Sequence, residues 1–591
     1  MSTDYMEEYR RWLDSPSLSE EEWKELNAIA EDKKEIENRF FAPLEFGTAG
    51  LRGTMKTGLH NMNIHIIRHA TQAFADVIKA EGEEAMKKGI AIAYDCRNNS
   101  ELFAREAAGV MAANGIFVRI FESLRPTPEL SFAVIHYGAA AGLNITASHN
   151  PKEYNGYKVY WSDGAQLPPQ KASAIAQRME ENDIFTGYVR CDFQEAVKEG
   201  KIVILGEETD ELFLENVLNE AIDREAVKKA ADDLRIVYTP FHGCGYKIVP
   251  EALRRLGIKH LYPVPEQMVI DGNFPTVVSP NPENAEAMTL GMKLGTKLGA
   301  DLVIASDPDA DRIAIVCRND KGEWVIINGN QTNIMYHYYI INNMKRLGKL
   351  RDDMFIVKTI VTSELIRKIA DAQGVTMTDE YTGFKWIANR IRMWEGKRKY
   401  IGGGEESFGF LPYDAVRDKC SPSAICLICE IAAYAKDNGM TLYDYLLKIY
   451  ADYGFQRETT INVVRPGKTG AEEIQAMMVN YRNNPPQEIA GEKVVKVKDF
   501  KTLKQCDLKD GKWIESAIEM PLNATSNVLQ YFTEGGLKVS VRPSGTEPKI
   551  KFYFEIPVKT ELGKPFTGAD YERCTAEAEA KVPAIKASLG L

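Results

Sequence analysis

Three times along this chain a short apolar strand pattern runs straight into a polar loop: LNITASHNP at 143–151, LVIASDPDADR at 302–312 and YIGGGEESFG at 400–409. Each lies in alternating strand and helix patterns, as where GIAIAYD at 89–95 is followed by SELFAREAAGVMAANG at 100–115. Such alternation predicts mostly parallel sheets covered by helices on both faces. Ligands in open sheets of this kind bind outside the carboxyl ends of the strands, so the three loops are the places to look for chemistry. From about residue 455 the period changes to two, in QRETTINVV, EKVVKVKDF and GGLKVSVRPSGTEPKIKFYFEI, and a C-terminal helix follows.

At 591 residues the chain exceeds what one hydrophobic core supports, and roughly three to five domains are expected. The expected architecture is α/β: three consecutive α/β units with mixed or mostly parallel sheets, then an α+β domain. Its divisions are 1–205, 206–325, 326–454 and 455–591, four domains around a central cleft. The first forty residues, charged and helically spaced, read as a solvated helical lead-in.

A net charge of −11 argues against a general nucleic-acid binder, which needs clustered Lys and Arg for the phosphate backbone. No stretch is apolar enough to span a bilayer, and the N-terminus lacks the apolar core of a secretory signal, so a soluble cytoplasmic protein is expected. The nine cysteines are scattered and odd in number, which fits a reducing compartment. Cys426 and Cys429 form a C-x-x-C, but its helical setting and the lack of further ligands at zinc spacing favour a buried helix face. Sequons at Asn144 and Asn523 carry no meaning outside the secretory route.

In the first loop Ser148 and His149 are adjacent, and on an extended segment they would point to opposite sides; no G-x-S-x-G elbow is present. A hydrolase triad is therefore disfavoured, while a serine that accepts and donates a phosphoryl group, with Lys158 supplying positive charge, remains open. In the second loop Asp307, Asp309 and Asp311 alternate, so an extended segment would project all three carboxylates to one side, a set of hard oxygens suited to Mg²⁺. An EF-hand is excluded by Arg312 and Arg318, which stand where Gly and Glu are needed. A D-x-D phosphatase using Asp307 as nucleophile stays possible. The third loop presents Glu405 and Ser407, groups suited to sugar hydroxyls. In VRPSGTEPKIK, Arg542 and Ser544, with Gly545 and Thr546, form a candidate phosphate cradle.

Taken in order, TASHNP, DPDADR, GEESFG and RPSGTEP closely resemble the α-D-phosphohexomutase superfamily, in the pattern of its phosphoglucomutase branch, including longer forms related to phosphopentomutase. The resemblance runs from about residue 40 to the end. It implies a four-domain enzyme in which Ser148 is the phosphoserine and, with Asp307, Asp309 and Asp311, binds Mg²⁺. It implies further that Arg52 and Lys158 lie near the transferring phosphate, and that Glu405 and Ser407 bind sugar hydroxyls. Arg542, Ser544, Gly545 and Thr546 would anchor the other phosphate. Gly383 in YTGFKWI matches the loop that helps distinguish sugar orientations, Arg417 and Lys419 a basic stretch beside the substrate; His149 reads as a positioning group. The implied reaction interconverts glucose 1-phosphate and glucose 6-phosphate through glucose 1,6-bisphosphate, with small sugar phosphates as partners and neither nucleic acid nor membrane. Mannose or pentose phosphates are the alternative substrates, and a non-catalytic sugar-phosphate-binding protein the alternative outside enzymes.

Overall fold

A computed structural model of the chain describes residues 4–48, 50–465, 467–544 and 549–591. It divides into two compact units, residues 1–316 with 408–434 and residues 317–407 with 435–591.

The first unit opens on three helices, α1 (Tyr5–Leu13), α2 (Glu20–Ala28) and α3 (Lys33–Phe40). They are not a solvated lead-in. Trp12, Leu26, Ile36 and Phe40 are fully buried, in the same apolar cluster as Ile90, Ile92, Leu143 and Val159 of the sheet behind them. Side-chain N-caps from Asp4, Ser19 and Asp32 start the three helices, Ser19 with Glu22 forming a capping box.

That sheet is built from β1 (Leu51–Thr54), β2 (Ile90–Tyr94), β3 (Val118–Phe121), β4 (Ala141–Ile145), β5 (Tyr154–Trp161) and β6 (Ile202–Leu205), in the order β1-β5-β4-β2-β3-β6. β2, β3, β4 and β6 run parallel, while β5 is antiparallel to both β4 and β1. β2 and β4 are buried throughout. On β2 Ile90 and Ile92 face one apolar cluster and Ala91 and Ala93 the other, as expected for a sheet covered on both sides. A second sheet places β7 (Arg235–Thr239), β8 (His260–Pro263), β9 (Leu302–Ser306) and β10 (Ile313–Arg318) in the order β10-β9-β7-β8, with β7 parallel to β8 and β9.

In the second unit the strand Met354–Thr359 pairs in parallel with both Thr376–Glu380 and Lys399–Glu405. An antiparallel sheet follows, starting with Phe455–Val464 against Lys549–Val558, and helix Gly568–Ser588 ends the chain. Mixed α/β sheets and a strand-rich C-terminal region thus match the expected fold class. Cys426 and Cys429 are buried and free in helix Ser421–Asp437. Among the described residues no helix is long and apolar enough to cross a membrane.

Candidate active site

The loop after β4 turns sharply at Ser148, whose φ is +53°, in the left-handed region that a residue with a Cβ rarely adopts. This corrects the extended reading. The turn brings Ser148 Oγ to 3.3 Å from His149 Nδ1, so the adjacent side chains meet instead of diverging. Burial, then the charges of Arg312 and Arg52, push the His149 imidazole down to about 2, so the ring is neutral at ordinary pH.

Thr146 braces the turn by accepting from Ser148 N at 2.9 Å while donating to Asp95 at 2.6 Å. Arg97 does more. Its fully buried guanidinium donates to the carbonyls of Ser148 and Asn150, each at 2.5 Å, and to those of Pro151 and Tyr154 at 2.8 and 3.0 Å. One planar fork thus satisfies four loop carbonyls, which a lysine could not do. Sequence reasoning missed Arg97; the available signal was a charged DCR immediately after a wholly apolar strand.

Ser148 Oγ donates to Asp307 Oδ2 at 2.9 Å, joining this loop to the aspartate loop after β9. Ala310 has φ +53°, so the segment is a tight turn and not the extended strand read from its alternation. The turn still gathers the three carboxylates: one oxygen from each of Asp307, Asp309 and Asp311 lies within 4.8 Å of the others. Asp307 Oδ1 accepts from the amides of Asp311 and Arg312, both at 3.0 Å, which fixes the turn. Asp309 Oδ1 and Asp311 Oδ1 are buried with no hydrogen-bond partner among the described residues. Unpartnered hard oxygens in that setting fit a divalent cation.

Lys158 Nζ on β5 lies 2.6 Å from Asp309 Oδ2 and 3.4 Å from Asp311 Oδ2. Burial opposes its charge, but the two carboxylates outweigh burial and raise its pKa. Burial would raise Asp309 as well, yet Lys158 holds it below the usual carboxylate range. Asp307 is pushed well above that range by burial and then by Asp309 and Asp311, which Arg312 only partly offsets. Lys419 Nζ lies 3.3 Å from Asp311 Oδ2 and 3.2 Å from Asp418, so it borders the carboxylate cluster. Arg417 is held locally, its guanidinium donating to the carbonyls of Asp414 and Val416. Arg52 is exposed on β1 and reaches Asn150 Oδ1 at 3.3 Å.

In the second unit Glu405 Oε1 accepts from the Gly383 amide at 2.7 Å, so two of the expected sugar-site residues meet. Gly383 has φ +110°, a conformation that requires glycine. Asn333 holds the backbone carbonyl of Glu405 at 2.9 Å, and Thr359 and Thr362 donate to Glu406. Ser407 is partly buried in the turn after Glu405. Arg542 and Ser544 lie at the end of strand Lys538–Pro543, and Ser544 N donates to Lys549 O at 2.8 Å. Gly545 and Thr546 lie outside the described residues.

Four family descriptions match in chain order. Phosphoglucomutase/phosphomannomutase alpha/beta/alpha domains I, II and III match residues 43–184, 211–322 and 328–453, and the C-terminal domain matches 461–564. A phosphoglucomutase of Staphylococcus haemolyticus is 34% identical over 523 residues, covering 88% of this chain and 92% of the relative. Another, from Staphylococcus aureus strain MRSA252, is 35% identical over 539 residues, covering 89% and 92%. The solved open form of pp63/parafusin, a phosphoglucomutase from Paramecium, shares the fold with a TM-score of 0.68 at 16% identity, covering 93% of this chain and 96% of that chain.

Proposed function

The chain belongs to the phosphoglucomutase/phosphomannomutase family, in the phosphoglucomutase branch of the α-D-phosphohexomutases, and we propose that it interconverts glucose 1-phosphate and glucose 6-phosphate. The observation that carries the assignment of residues is the contact of Ser148 Oγ with Asp307, at the edge of three converging carboxylates with Lys158 against them. Relatives over most of the chain are phosphoglucomutases, which favours glucose over mannose or pentose phosphates. The functional division we propose is into four domains, 1–205, 206–325, 326–454 and 455–591, each carrying one of the four loops.

Ser148, as phosphoserine, passes its phosphoryl group to the free hydroxyl of the sugar monophosphate, giving glucose 1,6-bisphosphate. The bisphosphate reorients and returns the other phosphoryl group to Ser148. Transfer of this kind needs alignment and charge neutralisation more than covalent help. Lys158 and Arg52 supply positive charge to the transferring group, and Arg97 keeps the serine loop from shifting as it changes charge. Neutral His149 orients Ser148 Oγ. Glu405, Ser407 and Gly383 hold the sugar in either orientation, and Arg542, Ser544, Gly545 and Thr546 hold the phosphate that is not reacting. Arg417 and Lys419 complete the basic lining. Asp307, Asp309 and Asp311, with the phosphoserine, would hold Mg²⁺; bound there, the ion neutralises charge on the phosphoryl oxygens. Nine unpaired thiols support a reducing, cytoplasmic setting.

The test follows glucose 1-phosphate to glucose 6-phosphate with Mg²⁺ and a trace of glucose 1,6-bisphosphate, beside mannose 1-phosphate and ribose 1-phosphate. Ser148→Ala is expected to abolish isomerisation while leaving sugar-phosphate binding largely intact. Substantial residual turnover would sink the serine assignment, and release of free phosphate would point to Asp307 as nucleophile instead.

A further inference from the structure

Thr127 has no place in the reaction as described, yet it is fully buried against the aspartate loop. It opens helix Thr127–His136, between Pro126 and Pro128, which restrict the backbone on either side. Its amide donates to the Asp309 carbonyl at 2.9 Å, and its hydroxyl donates to Asp309 Oδ2 at 2.8 Å. Asn144 on β4, also fully buried, donates from Nδ2 to the same hydroxyl at 2.7 Å. A hydroxyl has one proton to give. With Asn144 donating into its lone pair, the Thr127 proton is directed to Asp309.

The consequence is a sorting of the two Asp309 oxygens. Oδ2 is taken by Thr127 and by Lys158 at 2.6 Å, while Oδ1 is left buried and without a partner among the described residues. Both backbone and side chain of Asp309 are tied to one residue, so the carboxylate cannot rotate without breaking the hydroxyl bond. We propose that Thr127, held by Asn144, is the positioning residue that presents Asp309 Oδ1 to a divalent cation at the aspartate cluster. The inference rests on the reading of that cluster as a cation site. Groups that orient a ligating carboxylate from behind commonly govern metal affinity.

The experiment measures Mg²⁺ binding by isothermal titration calorimetry, and Mn²⁺ binding by electron paramagnetic resonance, on the full chain and its variants. Metal-free thermal unfolding is recorded alongside. Thr127→Val keeps the side-chain shape and removes the hydroxyl; its affinity for both ions is expected to fall by about 10- to 100-fold. Thr127→Ser, which restores the hydroxyl, is expected to recover wild-type affinity, and a mere packing role would not separate the two in this way. Asn144→Ala frees the hydroxyl to rotate and is expected to weaken binding less, in the same direction; it also provides the reading if Thr127→Val does not fold. Wild-type affinity in Thr127→Val, or in Asn144→Ala where Val does not fold, overturns the proposal, as does Thr127→Ser binding as weakly as Thr127→Val. A wild-type chain that binds neither ion overturns the cation site itself and the proposal with it, a result distinct from the others.

Discussion

Two backbone positions set how the chain runs beside Ser148 and Lys158. Ser148 adopts a left-handed turn, and the loop carbonyls are gathered by Arg97 to hold it there, which is how a conformation unfavourable for serine persists. Gly50 is the second. With φ at +79°, a Cβ on it would lie 1.7 Å from the Tyr157 carbonyl oxygen, so β1 can approach β5 closely only because that atom is missing. The β1 to β5 register pairs Leu51 with Tyr157 and Arg52 with Gly156, close to Lys158. Gly50→Ala is therefore expected to cost more than about 1–3 kcal/mol from backbone strain alone, and to lower turnover by displacing Arg52 relative to Lys158. Urea unfolding and steady-state kinetics on the same preparation check both effects; unchanged stability would mean that the strand approach is not tight.

At the scale of elements, the three N-terminal helices behave as a portion of the first core. Trp12 packs edge-on against Phe40, His65 and Phe185 at 5.1–5.7 Å. Glu25 of α2 accepts from Thr57 Oγ1 at 2.6 Å and from Arg39 at 2.5 Å, and Arg39 also donates to the Thr57 carbonyl, just beyond β1. Trp12→Ala is expected to destabilise the protein by about 3–5 kcal/mol, the usual cost of emptying a large buried aromatic site. Denaturant unfolding measures it, and a loss under about 1 kcal/mol would mean the helices are peripheral after all. These helices were hard to read because each is at most nine residues long and buries only a few side chains among many charges. The sheets were easy to read. The strands β2, β4 and β9 are buried along their whole length, and the loops after β4 and β9 break the pattern abruptly, at Thr146 and Asp307. The loop interiors lay beyond pattern reading, since left-handed turns at Ser148 and Ala310 leave no mark in residue type; Arg97 and Thr127 act through contacts that only folding brings about.

At the scale of the whole molecule, stability should depend on pH through carboxyls buried in the second unit. Lys358 and Lys538 are buried there among Glu364, Asp379 and Glu555, a cluster in which each ion is paired. Glu458 has a hydroxyl partner, Ser363, and burial pushes it up to about 8, against the smaller opposing effects of Ser363 and Arg457. A carboxyl raised in the folded state contributes stability that is complete below its unfolded pKa, near 4.5, and is lost as pH rises through about 8. Glu458→Gln should therefore flatten the fall in stability between about pH 4.5 and 8, which denaturant midpoints at the two pH values will show. An equal fall in both proteins would remove Glu458 as a cause.

The first unit is not continuous in the chain: residues 408–434 rejoin 1–316 only after 317–407 have intervened. During synthesis this imposes an order. A ribosome that has delivered the first 316 residues has made all three aspartates and Lys158, but not Lys419, nor Asp418, which takes the Tyr160 hydroxyl at 2.8 Å. Nascent chains emerge and fold from the N-terminus. The carboxylate cluster must wait, with its charges only partly offset, while a stretch belonging to the other unit is translated. Translation pauses placed before residue 434 would prolong that wait, and pauses placed after it would not.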